Sequence, residues 1–207
     1  MSQGSQPLRA EHVAATRAAI VEAATALFGA RGYASTSIDD VAAAARVTKG
    51  AVYHHFESKQ SLFRAVYEAV ERRAQAPTPA TKAATTPLEL IRRSAAAYLD
   101  ATLDPVVQRI TLVEAPAVLG PDPDGPAEQQ PGHAALRDLV AAAIADGKLA
   151  PLDPDAVASM VRGACLQAAL VIASSPRPRA ARRKVGAVLD ALLDGLAATG
   201  DGRSPRS

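Results

Sequence analysis

One short stretch gathers side chains suited to gripping a polyanion. TKGAVYHHFESK, Thr48 to Lys59, holds two lysines, two histidines, a tyrosine and two hydroxyls around a single acid, Glu57. From Arg46 to Arg64 there are four Lys/Arg, two His and that one carboxylate, a local basic patch in a chain whose net charge is only +2. Groups of this kind donate hydrogen bonds to phosphate oxygens and to acceptor edges of bases. Metal chemistry fits poorly. Adjacent helical residues such as His54 and His55 point about 100° apart and cannot share an ion without a third ligand. The single Cys165 excludes an intrachain disulfide and a cysteine-based zinc site. There is no Gly-rich phosphate loop and no nucleophile–base–stabiliser set. No catalytic residue, metal or cofactor is therefore expected, and the chain does not read as an enzyme.

The elements that must position these groups follow from periodicity and caps. The 207 residues suffice for one large or two small domains, and 48% are hydrophobic. Phe28, Tyr33, Tyr53, Phe56, Phe63 and Tyr67 all precede residue 75, and Tyr98 alone follows it, so two differently built parts are expected. From about Glu11, Ile20, Ala24, Leu27 and Phe28 mark one helix face, stopped by Gly32. Ser37, with Asp40 three residues on, caps a second helix whose inner face is Ile38, Val41, Ala42 and Ala45. Thr48 caps a short third helix with Val52 and Phe56 inward. Ser58 caps a fourth carrying Leu62, Phe63, Val66 and Val70. Two short helices joined by Arg46-Val47-Thr48 form a helix-turn-helix, whose second helix enters the DNA major groove. Its outer face is then Lys49, Gly50, Tyr53 and His54. Lys49 can reach a guanine edge or a phosphate. Tyr53 and His55 offer polar hydrogens to phosphates. Lys59 opens a helix where the dipole disfavours a cation, which suggests a phosphate partner.

This stretch resembles the DNA-binding domain of the TetR family of bacterial transcriptional regulators. The resemblance runs over about residues 14–70 and rests on Gly32-Tyr33, Thr36-Ser37, Val41-Ala42, Val47-Thr48-Lys49-Gly50, Tyr53-His54-His55-Phe56 and Ser58-Lys59. It implies a homodimer that binds a palindromic double-stranded operator and is released by a small-molecule effector, usually as a repressor. It also implies phosphate contacts at Thr36, Ser37, Thr48, Tyr53, His55 and Lys59, and base reading at Lys49, Gly50 and His54. Arg46 departs from the glycine common in that turn. A left-handed backbone there would cost an arginine roughly 1 kcal/mol or more.

The remainder reads as further helices. Residues 75–86 are either a linker or an irregular end of the fourth helix. Thr86-Pro87-Leu88-Glu89 and Asp104-Pro105 start new helices, and Pro116 should kink or end the second of these. Residues 120–132, with four prolines, form a loop. Helices follow around Leu136–Ile144, from Pro154 to about Ser174, and over Val185–Leu196. The expected architecture is all-α with about nine helices. A helix-turn-helix domain occupies 11–74, a helical ligand-binding and dimerisation domain 87–200, and flexible tails 1–10 and 201–207. Tyr98, Thr102, Val107, Ile110, Val113, Glu114 and Gln167 are candidate contacts for a largely aliphatic ligand. Glu114 alternatively pairs with Arg92 or Arg93. Val157, Val161, Ala164, Ala168, Val185, Val188, Leu192 and Leu196 are candidate dimer contacts. Cys165 reads as buried and inert. Arg177–Lys184 reads as a solvated loop and helix start, or a second DNA contact. No run approaches an unbroken membrane-spanning stretch and no leader opens the chain, so a soluble cytoplasmic protein is expected. A helical DNA-binding or interaction module that needs no ligand, or an activator, stays open as the alternative.

Overall fold

The computed structural model describes residues 5–120 and 131–197. Most of the expected tails and of the 120–132 loop lie outside those residues. The architecture is all-α. Among the described residues there is no strand, only an isolated antiparallel bridge between Leu149 and Ala197. The chain forms two compact units, Met1–Arg73 with Asp104–Pro123, and Ala74–Leu103 with Asp124–Ser207.

The first unit holds α1 (Ser5–Arg31), α2 (Ile38–Ala44), α3 (Lys49–His55) and α4 (Lys59–Ala74). Helix α1 begins inside the stretch expected to be a loose arm. The periodic residues of the sequence meet in one core: Ile20, Ala24, Phe28, Val41, Val52, Leu62, Phe63 and Val66 are all fully enclosed. Phe28, Tyr33 and Phe63 form an aromatic trio with centroids 5.2–5.7 Å apart. That cluster explains why aromatics crowd the first third of the sequence. Gly32 ends α1 at φ +84°, a conformation glycine adopts without steric cost. Arg46 holds φ +58° in the turn between α2 and α3, so an arginine does occupy a left-handed position there.

The same unit also contains residues 105–119. A short α7 (Pro105–Val107) runs into a π-helical segment, Gln108–Glu114, and then α8 (Ala115–Leu119). Pro116 therefore neither ends nor breaks the helical path. A proline in an α-helix clashes with the carbonyl four residues back. Here the preceding turn is widened, and the Ala115 N–H donates to the Ile110 carbonyl, five residues back. Val107, Ile110 and Ala115 join the first unit's core, so this stretch packs with α1–α4 rather than with the rest of the sequence's second half.

The second unit comprises α5 (Pro79–Lys82), α6 (Pro87–Ala101), α9 (Pro131–Ala145), α10 (Pro154–Ser174) and α11 (Pro178–Gly195). Helix α5 is one turn inside the expected 75–86 break, capped by Thr78 and Thr81 reciprocally. Thr86 and Asp153 cap α6 and α10 through their side-chain oxygens, as the sequence suggests. One core gathers Ile91, Val140, Ala143, Val157, Val161 and Leu193, and a second Ala95, Leu99, Ala168, Ile172 and Leu189. Arg92 pairs with Asp194 at 2.6 Å, and Arg182 with Asp100 at 2.8 Å. The expectation that no segment approaches a membrane span needs correction. Residues 11–31 and α10 are long and apolar enough by length and composition. Both lend one face to a core, through Ile20, Ala24 and Phe28 in one and Val157, Val161 and Ile172 in the other.

Candidate nucleic-acid interface

The exposed face of α3 and the turn before it are set by two caps. The Asp40 N–H donates to Ser37 Oγ at 3.0 Å, while Asp40 Oδ2 accepts the Ser37 N–H at 2.8 Å and its hydroxyl at 2.6 Å. The Ser37 hydroxyl is the main cause that lowers the Asp40 pKa. At α3, Thr48 Oγ1 accepts the Ala51 N–H at 3.1 Å, which leaves its hydroxyl hydrogen to donate outward. Val52 and Phe56 anchor α3 on the core. Lys49, Gly50, Tyr53 and His54 are then exposed together on one surface, with His55 half-buried beside them. A Cβ added at Gly50 would meet only Thr48 Oγ1, at 3.8 Å, which is ordinary contact. Nothing within the chain requires glycine there.

Three side chains stand otherwise than the sequence suggests. Thr36 is almost completely buried, and its hydroxyl donates to the Gly32 carbonyl at 2.9 Å. It is removed from the phosphate-contact set, because its polar hydrogen is used inside the fold. Lys59 has a partner within the chain: its Nζ lies 4.2 Å from the Tyr33 ring centroid, a cation–π contact. That contact offsets the unfavourable dipole, so a phosphate is not needed to explain a lysine at the start of α4. Lys49 is held by Asp39, Nζ to Oδ2 2.9 Å, and this hydrogen bond is the first cause that raises the lysine's pKa.

Sequence reasoning passed over Asp39, Arg17 and His133. Asp39 could have been found, because the turn brings the first turns of α2 and α3 side by side. Arg17 could not: its guanidinium carbon lies 4.9 Å from the ring centroid of Phe56, a partner far along the chain. Two open surface hollows lie in this unit. One, about 410 Å³, is lined by Ala19, Glu22, Ala23, Leu27 and Arg46. The other, about 300 Å³, is lined by Arg17, His55, Phe56, Ser61 and Arg64.

The residues of the expected ligand set are divided between the two units. Thr102 is fully buried and donates to the Leu99 carbonyl at 2.8 Å. Val107 and Ile110 are core residues of the first unit, and Tyr98 packs half-buried against Leu99 and its neighbours. Val113 and Gln167 are exposed. Arg92 pairs with Asp194, which accounts for one of the two arginines expected beside Glu114. The Glu114 carboxylate accepts the Tyr33 N–H at 3.1 Å, while Arg93 pairs with Glu89. In the second unit the buried polar atom without a partner, among the described residues, is Nδ1 of His133, whose Nε2 lies 2.9 Å from Asp155 Oδ1.

The expected dimer set also divides. Val157, Val161 and Ala168 are buried in their own unit, and Ala164, Val185 and Leu196 are half-buried against its cores. They are withdrawn as contacts, because the helix face carrying them points inward. Val188 and Leu192 are exposed, at 60% and 54%. The outward face of α10 is instead Met160, Leu166, Leu170 and Val171.

Residues 20–66 match the family of bacterial regulatory proteins of the tetR type, and residues 88–196 match the tetracyclin repressor-like C-terminal domain. A TetR-family transcriptional regulator from Pectobacterium atrosepticum is similar over 91% of this chain and 97% of its own, with 36% identity and a TM-score of 0.75. A structure reported as the molecular basis for control of antibiotic production by bacterial hormones is similar over 89% of this chain and 98% of its own, with 30% identity and a TM-score of 0.68. The transcriptional regulator AcrR of Shigella flexneri is 45% identical over 56 residues, 27% of this chain and 26% of that protein. The chain thus spans less than a third of the length of such curated relatives.

Proposed function

Since the chain belongs to the TetR family of bacterial transcriptional regulators, we propose that it binds a palindromic operator as a homodimer, represses from it, and is released by a small molecule. The observation that carries the reading is the exposed face of α3, with Lys49, Gly50, Tyr53 and His54 on a helix anchored from behind by Val52 and Phe56. A helix so held presents donors outward and keeps its axis fixed, as readout of a major groove requires. Thr48, Tyr53, His55 and Lys59 surround that face as phosphate contacts, while Ser37 spends its hydroxyl hydrogen and its N–H on Asp40. Such a protein acts where the chromosome is, in the cytoplasm.

Dimerisation is supported by the apolar surface of α10 and α11, which no part of the described chain covers. Release by an effector is supported by family membership. The similar structure concerned with control of antibiotic production by bacterial hormones makes a hormone of that kind the first effector to try. A regulator that needs no ligand is the second reading. It is favoured by the packed positions of Thr102 and Ile110.

Selection of bound duplexes from random DNA, repeated with candidate effectors, tests the whole reading. A palindromic consensus is expected. Lys59→Ala should weaken all sequences alike and reduce the salt slope by about one, the loss of one phosphate contact. Selection that returns no sequence above bulk DNA removes the DNA reading. A consensus that no effector disturbs leaves the ligand-independent reading in its place.

A further inference from the structure

Lys49 and Lys59 are held in different ways. Lys49 meets a carboxylate, Asp39, which offsets its charge. Lys59 meets an aromatic face, its Nζ 4.2 Å from the Tyr33 ring centroid. A ring attracts an ammonium through its quadrupole and leaves the net charge in place. It brings no negative charge that would repel a phosphate. Both ends of this contact are fixed by the fold. The Tyr33 ring packs against Phe28 and Phe63, both fully enclosed, with centroids 5.7 and 5.2 Å away. The Tyr33 N–H donates to the Glu114 carboxylate at 3.1 Å. The start of α4 is fixed by Ser58 and Ser61, whose hydroxyl oxygens each accept the other's N–H at 3.0 Å. Gln60, next to Lys59, donates from Nε2 to the Val118 carbonyl at 2.7 Å. Glu114 and Val118 belong to the π-helical segment and α8, so one stretch of chain holds both partners.

We propose that Tyr33 is a positioning residue for DNA binding, its ring holding the Lys59 ammonium ready for a backbone phosphate. This rests on the reading of Lys59 as a phosphate contact. A free lysine side chain loses rotamer entropy when it docks on a phosphate. On the Tyr33 ring that ordering happens at folding, before DNA arrives, so less is lost at binding. The face of the ring does this, and the hydroxyl takes no part. Phenylalanine at 33 should therefore serve as well as tyrosine. Leucine or methionine still offers apolar surface to Phe28 and Phe63 but has no quadrupole. Glu114 and Gln60 act further back, by fixing the backbone of the ring and the start of the helix. Tyr33 acts on DNA only through Lys59. A purely structural role would lower affinity whether or not Lys59 is present. A positioning role disappears when Lys59 is removed.

The test is a set of double-mutant cycles in DNA affinity on the full chain. Lys59→Ala is made in the parent, in Tyr33→Phe, and in the ring-free variants Tyr33→Leu and Tyr33→Met. The probes are the duplex that the parent selects from random DNA and a random-sequence duplex of equal length, titrated by fluorescence anisotropy. Lys59→Ala should lower affinity about tenfold in the parent and in Tyr33→Phe, and only about threefold in the ring-free variants. The same ratios should hold on both probes, since a phosphate contact carries no sequence information. Helical content and thermal midpoints identify the variants that are folded at the assay temperature, and either ring-free variant suffices for the cycle. Equal losses from Lys59→Ala in every background overturn the positioning role and leave the phosphate contact standing. A Tyr33→Phe that behaves like the ring-free variants also overturns it, because the hydroxyl would then be responsible. If Lys59→Ala costs the parent nothing, the contact and the positioning role fall together. If the parent binds neither probe, the DNA reading falls as well.

Discussion

At the scale of single residues, the most informative are those whose identity the folded chain does not require. Gly50 lies in α3 with ordinary φ and open space where a Cβ would go. Alanine there should therefore stabilise the protein by up to about 1 kcal/mol, the difference in helix propensity. It should also weaken operator binding if the backbone at residue 50 lies against DNA. Denaturant titration and mobility shift on Gly50→Ala read the two signs separately; tighter binding together with higher stability would refute the close approach. Cys165 gives a pH prediction. Burial pushes its thiol up to about 11 from an ordinary 9. The folded form thus keeps its proton where the unfolded chain has lost it, and stability should fall as pH rises through about 9 to 11. Cys165→Ser should flatten that fall in urea titrations across the window. The exposed outer face of α3 was legible because turn, core and polar positions are all local. Thr36 was not, because hydroxyls look alike in a sequence whether they donate outward or to a carbonyl four residues away. Arg46 shows the converse: its type against the turn raised the question of a left-handed backbone, and the fold has one.

At the scale of elements, caps carried most of the legibility. Ser37, Thr48, Thr86 and Asp153 each begin a helix where their side chain accepts an N–H from the first turn. The π-helical segment was not legible, since an i→i+5 register leaves the same apolar residues as an α-helix and Pro116 reads as a stop. Nor was its allegiance, because helical periodicity marks a buried face without naming what buries it. This segment clamps the end of α1. Glu114 accepts the Tyr33 N–H, and a Cβ at Gly32 would lie 2.6 Å from Glu114 Oε1. Gly32→Ala must therefore displace the carboxylate and also adopt φ +84°. The left-handed backbone alone costs about 1–2 kcal/mol. Glu114→Ala should cost about 1–3 kcal/mol if the Tyr33 N–H finds no substitute acceptor. The clamp predicts that the two changes together cost less than their sum, because alanine at 32 already breaks the bond that Glu114 makes. Strict additivity in chemical denaturation would show that Gly32 and Glu114 do not act through each other.

At the scale of the whole molecule, the question is which apolar face belongs to the chain and which to a second copy. Sequence periodicity finds both faces of α10 and cannot rank them, since valine and alanine serve a core and an interface equally well. The fold ranks them. Val157, Val161, Ala168 and Ile172 are enclosed, and Met160, Leu170 and Val171 are 40–73% exposed on the opposite side. Helix α11 repeats the division, with Leu189 and Leu193 enclosed and Val188 and Leu192 more than half exposed. In the proposed homodimer, two exposed apolar helices from each of two copies would form a four-helix bundle about a twofold axis, and Gly163 on α10 would let backbones approach. The same axis would set two α3 helices about 34 Å apart, one turn of DNA. The prediction has two arms. Val188→Asp with Leu192→Asp should give a folded monomer by light scattering at micromolar concentration, with helical content kept and affinity for the full palindrome reduced toward that for a half-site. Val157→Asp should instead lower stability by several kcal/mol, because it buries an unpaired carboxylate in the core. A parent chain that is monomeric at micromolar concentration, or a Val188/Leu192 double variant that stays dimeric, would show that this face is not where the copies meet.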